Sequence, residues 1–436
     1  MDFEEVFAPV ARIETVRLLL ALAAQSGWAV HHMDVKSAFL NGDLIETVYV
    51  QQPPGFSVGS KGKVLRLKKA LYGLKQAPRA WNAKLDRELV ALGFVRSKLE
   101  HVVYRRGNKN SFLLVGVYVD DLIISGPSAS DIGKFKVEMK KKFSISDLGL
   151  LSYYLGIEVK QGDEGITLSQ SAYAVKILEI AGMLNCNPCA TPMEARLKLS
   201  KKMEDEVVNP TAYRSLIGSL RYIVNTRPDL AFAVGVVSRY MEAPSKDHWA
   251  AVKHILRYLK GTIKYGCKYA RGTDLKPFLV GFSDSDFAGD AEDRKSTTGV
   301  VYFLGKNLVT WASQKQKIVA LSSCEAKYVA GAAVACQGIW LSRLMGDLMG
   351  TKETPVKLLM DNMFAITLSK NPVHHDRSKH IDTKYHFLRE CFEEGKVEVE
   401  HVGTANQLAD IFTKSLGRVR FQELRKALGV VELQQV

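Results

Sequence analysis

Hydrophobic residues near the start of the chain follow first a helical and then a strand-like spacing. Positions 14–27 place apolar residues on one face of a helix, with Thr15 expected as the N-cap and Gly27 as the stop signal. The apolar run that follows, Trp28–Met33, predicts a strand that ends at Asp34. The chain therefore opens with a helix followed by a strand.

Two apolar runs, Phe112–Val119 and Leu122–Ile124, are separated only by Asp120 and Asp121, which predicts a hairpin. A tight turn normally contains a glycine, because one of its residues needs a positive φ. Two adjacent carboxylates repel each other and lack that freedom. A local rule broken in this way indicates a functional site.

The rest of the pattern divides into a helical region and a mixed region. Residues 170–265 are mainly helical in pattern, with prolines 188, 192 and 210 in a linker. Beyond about residue 273, strands alternate with helices, which predicts a separate α/β domain. The expected helices lie at 77–92, 322–345, 362–369 and 405–415, and the expected strands at 278–283, 299–304, 308–312, 356–360 and 396–402.

The composition is that of a globular protein with a strong positive charge. Hydrophobic residues make up 47% of the chain and charged residues 24%, which is enough apolar material for several cores. The 60 Lys and Arg against 46 Asp and Glu give a formal charge of +14. Such an excess attracts polyanions, most commonly nucleic acid, although solvated helix faces explain the same charge.

Cysteines and apolar segments argue against several other classes of protein. Cys186 and Cys189 have C-x-x-C spacing, but neither a second pair nor a histidine pair completes a zinc site. We expect reduced thiols in an intracellular protein. The N-terminus is acidic, unlike a signal peptide, and the most apolar early run, Leu18–Ala24, is too short to span a bilayer. A protein that is not inserted in a membrane is therefore expected.

Asp34, Asp120 and Asp121 form the first candidate set for chemistry. A nucleotidyl transferase needs two Mg²⁺ ions about 3.5–4 Å apart. Mg²⁺ prefers carboxylate oxygens and leaves positions open for substrate phosphates. Carboxylates projecting from adjacent strands would satisfy that chemistry. Idle, solvated aspartates at a turn and a strand end are the alternative, and one Asp-Asp pair alone favours it.

Three motifs in this order resemble those of copia-type long-terminal-repeat retrotransposon reverse transcriptases: His32–Gly42, Leu71–Trp81 and Leu114–Gly126. The resemblance implies that Asp34, Asp120 and Asp121 hold two Mg²⁺ ions, with Mn²⁺ as the alternative ion. It also implies a set of substrate-binding residues. These are Phe39 under the sugar, Tyr72 and Gly73 in the nucleotide pocket, and Leu155 and Gly156 in the primer-gripping turn.

A second carboxylate set, Asp284, Glu325, Asp361 and Asp410, lies in the C-terminal region. Each member has a structural alternative; Ser322-x-x-Glu325, for example, is a capping box, and Asp361 could cap the next helix. Together the four resemble the carboxylates of ribonuclease H, which implies two Mg²⁺ ions here as well. The surrounding segments, 282–290, 320–328 and 408–414, again resemble the copia-type family.

Further residues of this region follow the same family pattern. His401 is expected to help the product leave, with a structural role on its strand as the alternative. Segment 377–382 is expected to meet the nucleic-acid backbone, and the histidines within 374–386 are interpreted as basic surface rather than a zinc site. Lys327 replaces the usual acidic residue two positions after Glu325. We expect it on a different helix face from the metal site, with a modest effect.

The resemblance covers roughly residues 2–417 and implies an α+β fold. A right-hand polymerase palm with partial fingers and a helical thumb/connection would be followed by an α/β ribonuclease H-like domain. The expected boundaries are 1–165 for fingers and palm, 166–272 for thumb/connection, 273–417 for the ribonuclease H-like domain and 418–436 for a C-terminal tail. Basic residues in the thumb could follow a hybrid's backbone, with helix packing as the alternative.

The sequence thus predicts an RNA-directed DNA polymerase with ribonuclease H activity, encoded as part of a retrotransposon polyprotein. Its expected partners are an RNA template, a DNA primer, an RNA–DNA hybrid and dNTPs, with no membrane partner and no particular oligomeric state. The expected location is cytoplasmic virus-like particles, and also the nucleus. Because the family's upstream fingers strands do not precede Asp2, two alternatives stay open. One is a silent remnant that only binds nucleic acid, and the other is a nuclease beside a dead polymerase.

Overall fold

The chain is a mixed α/β protein that divides into two compact units. A computed structural model describes residues 7–56, 58–60, 62–108, 111–201, 208–272, 278–370 and 387–434. The first unit comprises the described residues within Met1–Val16, Trp28–Leu151 and Asp347–Thr351. The second comprises those within Arg17–Gly27, Ser152–Gly346 and Lys352–Val436. Among the helices so described, none has the length and apolar character needed to cross a membrane.

The elements up to residue 151 are strands and three helices. The helices are α1 (Ile13–Ser26), α2 (Ala77–Ala91) and α3 (Ala129–Lys142). The strands are β1 (Val30–Val35), β2 (Tyr49–Gln51), β3 (Val64–Arg66), β4 (Val95–Arg96), β5 (Val103–Gly107), β6 (Phe112–Tyr118), β7 (Asp121–Ser125) and β8 (Ile145–Leu150). Strands β2 and β3 form a hairpin, and the other six form an antiparallel sheet of order β4-β5-β6-β7-β1-β8.

The two central strands β6 and β7 are apolar and buried along nearly their whole length. Helix α3 contacts β6 and β8 and buries Phe135 and Met139. Its ends follow ordinary capping rules, since Ser128 Oγ accepts a hydrogen bond from the Asp131 amide at 3.2 Å and three lysines occupy the last turn. The sheet therefore presents a rigid β1–β7 pair on which side chains can be held in place.

The second unit contains two five-stranded sheets and a series of helices. Its strands are β9 (Tyr153–Tyr154), β10 (Ile157–Gly162), β11 (Gly165–Ser169), β12 (Tyr265–Ala270), β13 (Leu279–Ser285), β14 (Thr297–Leu304), β15 (Asn307–Lys315), β16 (Val356–Met360), β17 (Val397–His401) and β18 (Val430–Glu432). The helices are α4 (Ser171–Ile180), α5 (Pro210–Ile223), α6 (Ala231–Val237), α7 (Lys246–Gly261), α8 (Ser323–Met349), α9 (Met363–Lys370), α10 (Phe387–Glu393) and α11 (Arg418–Ala427). The helices α4–α7 lie in sequence between β11 and β12, two strands of the same sheet.

The two sheets differ in strand direction. The sheet of order β18-β12-β11-β10-β9 is antiparallel throughout. The sheet of order β15-β14-β13-β16-β17 is mixed, because β13 pairs with β16 and β16 with β17 in parallel register. Parallel neighbours end at the same edge, so residues that follow β13 and β16 are brought close together.

Most of the predicted elements are confirmed, and three details are wrong. Helix α1 begins at Ile13, so Thr15 is not its N-cap; the Thr15 hydroxyl instead donates to Glu100 Oε2 at 3.0 Å. Strand β1 does not end at Asp34 but continues through Val35. The segment 405–415 is not an α-helix but two 3-10 turns, Thr404–Asn406 and Leu408–Phe412.

Two regions contain more structure than the sequence pattern suggested. Strand β11 overlaps the start of residues 166–272, where helices were expected, and β12 lies within that range. The buried residues Ile166 and Leu168 alternate with less buried neighbours, which is the two-residue period of a strand. Residues beyond 417 form α11 and β18, and β18 pairs with β12 rather than trailing as a tail.

Candidate active site

The first carboxylate set is brought together by the β1–β7 pairing. Asp34 in β1 lies directly opposite Asp121 in β7 in the antiparallel register. Asp120 belongs to the turn that precedes β7, and its carbonyl oxygen accepts a hydrogen bond from the Val35 amide at 2.9 Å. Like charges placed directly opposite each other destabilise a sheet. Their presence here is the signature of a site rather than of a strand built for stability.

The hairpin turn differs by one residue from the one expected. Tyr118 pairs with Asp121, so the two turn residues are Val119 and Asp120 rather than the two aspartates. Val119 has φ +54°, a conformation that a β-branched residue adopts only under strain. The buried Trp81 indole donates to the Val119 carbonyl at 2.6 Å and holds this turn.

A histidine that the sequence did not single out contacts this set. His32 precedes Asp34 by two residues in β1, and its Nε2 lies 2.7 Å from Asp121 Oδ1. The side chain of His32 is largely buried. The period of two along a strand puts His32 and Asp34 on one face, and that spacing was the available signal.

The electrostatics of the first set favour a cation. Burial raises the pKa of Asp120 above its usual range; its own backbone hydrogen bond opposes this, and the charges of Asp121 and Asp34 add to it. Carboxylate oxygens are the ligands that Mg²⁺ prefers, usually one or two together with substrate phosphates. Within the described part of the chain, no three His, Cys, Asp or Glu side chains already converge as a complete ligand set. The three aspartates supply the oxygen ligands that Mg²⁺ prefers.

Phe39, which was expected under the sugar, and Tyr72, which was expected in the nucleotide pocket, are in contact. Phe39 lies in the 3-10 helix Ala38–Asn41, and its ring centroid is 4.9 Å from that of Tyr72. Gly42 allows this helix to approach α2, since a Cβ at that position would lie 2.7 Å from the Trp81 backbone nitrogen. Gly73, beside Tyr72, has φ +94°, which favours glycine.

Leu155 and Gly156 form the two-residue turn between β9 and β10 in the second unit. Both have positive φ, at +49° and +71°. The Tyr222 hydroxyl donates to the Leu155 carbonyl. Their expected role in gripping a primer stays a prediction, as do the roles of the basic residues in α5 and α7. Residues 377–382 and the histidines within 374–386 lie outside the described residues.

The second carboxylate set also converges. Asp284 lies near the end of β13, opposite Gly299 in β14, and Asp361 directly follows the parallel neighbour β16. Asp410 lies in the 3-10 turn Leu408–Phe412, which approaches β14 closely because Gly299 has no side chain. Glu325 lies in the first turn of α8. His401 is exposed at the end of β17, and its role stays a prediction.

The structural role as a helix-capping residue is present for Glu325 but absent for Asp361. Ser322 Oγ accepts from the Glu325 amide at 3.1 Å, and Glu325 Oε2 accepts from the Leu321 amide at 2.7 Å. Glu325 thus has a local structural role at the start of α8. Asp361 does not cap α9, because Asn362 Oδ1 accepts from the Ala365 amide at 2.9 Å instead.

The prediction that Lys327 lies on a different helix face from the metal site, with a modest effect, is wrong, because its side chain contacts two acids of the second set. Its Nζ is 2.9 Å from Asp284 Oδ1 and 2.5 Å from Asp361 Oδ1. One half-turn along α8 from Glu325, the long side chain reaches across the gap between the two strand ends. The prediction considered the position of the Lys327 Cα on the helix but not the length of its side chain, in which four methylene groups separate the Cα from the ammonium.

Other cations and donors surround the remaining carboxylate oxygens. Lys414 Nζ lies 2.7 Å from Asp410 Oδ1 and 3.8 Å from Asp284 Oδ2, which also accepts from the Thr413 hydroxyl at 2.6 Å. Arg420 lies 3.8 Å from Asp410 Oδ2. Thr413 and Lys414 follow Asp410 in the sequence motif, but no role had been predicted for them.

The pKa shifts follow from burial and these charges. Burial acts to raise the pKa of Asp284, but Lys327 and Lys414 outweigh it and hold that pKa below its usual range. Burial likewise acts to lower the pKa of Lys327, and Asp284 and Asp361 raise it instead. The pKa of Asp410 is raised, chiefly by burial, against the opposing effect of Lys414. Lys327 and Asp284 are thus an ion pair. Because the ammonium contacts the Oδ1 atoms of both Asp284 and Asp361, a Mg²⁺ ion does not fit between these two atoms beside it.

Comparisons with known proteins identify the family of the chain. Residues 1–195 match the family model of reverse transcriptases, described as RNA-dependent DNA polymerases. Over 99% of its length the chain is 41% identical to a retrovirus-related Pol polyprotein from transposon TNT 1-94 of Nicotiana tabacum. It is 40% identical, also over 99% of its length, to the Pol polyprotein from transposon RE2 of Arabidopsis thaliana.

A shorter relative is matched almost completely. The chain is 34% identical to a transposon Ty5-1 protein of Saccharomyces cerevisiae and covers 97% of it, over 68% of its own length. An RNase H domain from Mycobacterium tuberculosis, solved as a maltose-binding protein fusion, matches 35% of the chain at 14% identity. Its TM-score of 0.24 is too low to support an argument about fold.

The first 195 residues are thus of the reverse transcriptase class. The chain belongs to the family of copia-type retrotransposon Pol polyproteins. It spans 33% and 30% of the length of the tobacco and Arabidopsis relatives, so the activities of a whole polyprotein do not transfer to it directly.

Proposed function

We propose that this chain is an RNA-directed DNA polymerase whose active site is formed by Asp34, Asp120 and Asp121. The observation that carries the proposal is the register of β1 and β7, which sets Asp34 opposite Asp121 with Asp120 in the adjoining turn. The family match over residues 1–195 supports the same site. The net charge of +14 suits an RNA template and a DNA primer as partners.

The three aspartates would hold Mg²⁺ together with the phosphates of an incoming dNTP. When bound, Mg²⁺ supplies charge neutralisation on the triphosphate and activation of the primer 3′-hydroxyl. His32 holds Asp121 Oδ1 at 2.7 Å and thereby fixes the orientation of that carboxylate. Trp81 holds the Val119 carbonyl and thereby fixes the turn that carries Asp120.

Phe39 and Tyr72 would orient the nucleotide. Their ring centroids are 4.9 Å apart with the rings tilted by 41°, and Phe39 packs against the buried residues Ala70, Ala77 and Ala80. Aromatic side chains are suited to packing against the sugar and base of a nucleotide whose phosphates would face the aspartates. Phe39 would pack under the sugar, where a 2′-hydroxyl meets the ring edge.

The finer architecture is part of this proposal. Residues 1–165 would form fingers and palm, 166–272 a thumb/connection and 273–417 a ribonuclease H-like domain. Strand β18, in the expected tail 418–436, pairs with β12 of the thumb/connection region. The four acids around β13 and β16 support a common origin with ribonuclease H. An RNA–DNA hybrid would then be the ligand of the second unit. Virus-like particles in the cytoplasm, or the nucleus, would be the place of action.

Primer extension on an RNA template tests the proposal. The full chain is incubated with Mg²⁺, dNTPs and an annealed DNA primer, beside Asp120→Asn and a matched control, Asp163→Asn. Asp163 is exposed in the β10–β11 turn, so its substitution removes the same charge far from β7 in sequence. Extension by the unaltered chain and the control, but not by Asp120→Asn, is the expected result. No extension by a folded, primer-bound chain would favour a silent remnant.

A further inference from the structure

Lys327 occupies the centre of the second carboxylate set. Its ammonium lies between Asp284 and Asp361, at 2.9 Å and 2.5 Å from their Oδ1 atoms. Only 17% of the Lys327 side chain is exposed, and the two carboxylates are 1% and 6% exposed. An ion pair this well shielded from water and salt is much stronger than one on a surface.

We infer that Lys327 is the permanent cation of this site and takes the place of a divalent metal ion between Asp284 and Asp361. A Mg²⁺ ion would need to lie about 2.0–2.1 Å from the carboxylate oxygens that it binds. The ammonium already contacts the same two oxygen atoms, so metal and lysine cannot both be accommodated. Because it is attached to α8, the ammonium competes with dissolved ions at a high effective concentration.

The other carboxylates are compensated in the same way. Lys414 contacts Asp410 at 2.7 Å and lies 3.8 Å from the second oxygen of Asp284. Glu325 accepts a hydrogen bond from the Leu321 amide of its own helix start. A cation or donor of the protein therefore contacts at least one oxygen of each acid, and a metal ion that bound the Oδ1 atoms of Asp284 and Asp361 would have to displace Lys327.

As a consequence, the domain would contain the four acids of a ribonuclease H but would not cleave RNA with the help of metal ions. Asp284, Asp361, Asp410 and the two lysines tie together β13, β16, α8 and the Leu408–Phe412 turn as a structural ion cluster. This inference rests on the proposed ribonuclease H-like origin of the domain. It distinguishes the chain from a two-activity enzyme: strand synthesis would remain, and removal of the template strand would need a nuclease supplied by another protein.

Mn²⁺ binding tests the inference without relying on activity. Binding to the full chain is measured by titration calorimetry in an Asp34→Asn/Asp120→Asn/Asp121→Asn background, which removes the first carboxylate set. In that background we compare the chain that keeps Lys327 with Lys327→Gln and Lys327→Glu. Lys317→Gln, which removes the same charge at an exposed residue before α8, is the control. We expect an affinity gain of at least about tenfold for Lys327→Glu. A smaller gain is expected for Lys327→Gln, and none for the control.

The decisive comparison uses chains that keep Lys327. If the background chain binds Mn²⁺ and Asp284→Asn abolishes that binding, the inference is overturned, whatever the Lys327 variants do. Mg²⁺-dependent cleavage of an RNA–DNA hybrid that Asp284→Asn abolishes would overturn it equally. Absence of both supports it. Primer extension by the unaltered chain is measured in parallel, and its failure would count against the polymerase proposal alone.

Discussion

The imidazole Nε2 of His32 lies 2.7 Å from Asp121 Oδ1, across the paired strands β1 and β7. The histidine is itself largely buried, so its orientation is fixed by packing as well as by Asp121. Residues that orient a carboxylate ligand commonly matter for metal affinity and rate, although they touch no substrate. His32 is therefore a positioning residue of the proposed polymerase site.

Replacing His32 should slow nucleotide addition without lowering the affinity for primer–template. We expect His32→Gln to reduce kcat/KM for dNTP by about 10–100-fold, measured by single-nucleotide primer extension. The Kd for primer–template, which reports a merely structural loss, should not change. The adjacent His31 offers a matched control because its Nδ1 contacts Lys136 at 2.9 Å instead. Equal losses for His31→Gln and His32→Gln would contradict the positioning role.

Shortening Phe39 should weaken discrimination against ribonucleotides. The Phe39 ring is braced by Tyr72 at 4.9 Å, so Phe39→Ala opens space under the proposed sugar position. We expect the dNTP-to-rNTP ratio of kcat/KM to fall by about 10–200-fold, the range for one pocket contact. Competition between dCTP and CTP in primer extension measures it. Phe56→Ala, at a phenylalanine that is 76% exposed, is the control and should leave the ratio unchanged.

Acid should destabilise the second unit through Asp290. Burial acts to raise the pKa of Asp290, but Lys315 and the amides of Glu292 and Asp293 outweigh it and lower that pKa to about 2. A carboxyl whose folded pKa is depressed stabilises the fold above its unfolded pKa, and this stabilisation is lost as pH falls from about 4 towards 2. Asp290→Asn should therefore cost about 2 kcal/mol of unfolding free energy at pH 7.

The same substitution should flatten the acid limb of the stability curve. Thermal unfolding between pH 2 and pH 7 should show a smaller dependence on pH for Asp290→Asn than for the unaltered chain. Asp163→Asn is the control and should leave the curve unchanged. An unaltered pH dependence in Asp290→Asn would mean that the contacts with Lys315 at 2.7 Å and Arg239 at 2.9 Å do not stabilise the fold.

Removing one charge from a buried ion pair in the second unit should lower the free energy of unfolding by more than Asp290→Asn does. Arg227 and Asp229 are 1% exposed, and Asp229 Oδ2 is 2.8 Å from Arg227 Nη2 and 2.6 Å from the Tyr258 hydroxyl. Asp229→Asn leaves a buried guanidinium without its countercharge, which typically costs about 3–5 kcal/mol. Urea unfolding measures this loss. A loss of unfolding free energy no larger than that of Glu164→Gln, at an exposed residue, would contradict a stabilising role for the Arg227–Asp229 pair.

The sequence predicted local features well where they depend on neighbouring residues. The β6–β7 hairpin and α2 follow from periodicity, and Asp34 meets Asp121 because strand register brings together residues of one face. The identity of the turn residues was missed because Val119 takes a left-handed conformation that Trp81 stabilises from 38 residues away. Propensity does not contain such a tertiary contact.

The second site could be predicted only in part for a similar reason. The four acids are recognisable as a motif, and the proximity of Asp284 and Asp361 follows from the parallel pairing of β13 with β16. The position of the Lys327 ammonium depends on rotamers that reach from α8 to two strand ends. Spacing along the sequence gives the helix face of a Cα but not the end of a long side chain.

The rate of a single nucleotide addition on an RNA template tests the central claim most directly. Under single-turnover conditions with saturating Mg²⁺ and dNTP, the unaltered chain should extend the primer, and Asp34→Asn should do so at least about a hundredfold more slowly. The affinity for primer–template should be equal in the two proteins, and Asp163→Asn should match the unaltered rate. An unchanged rate in Asp34→Asn would contradict the assignment of the β1–β7 carboxylates as the polymerase site.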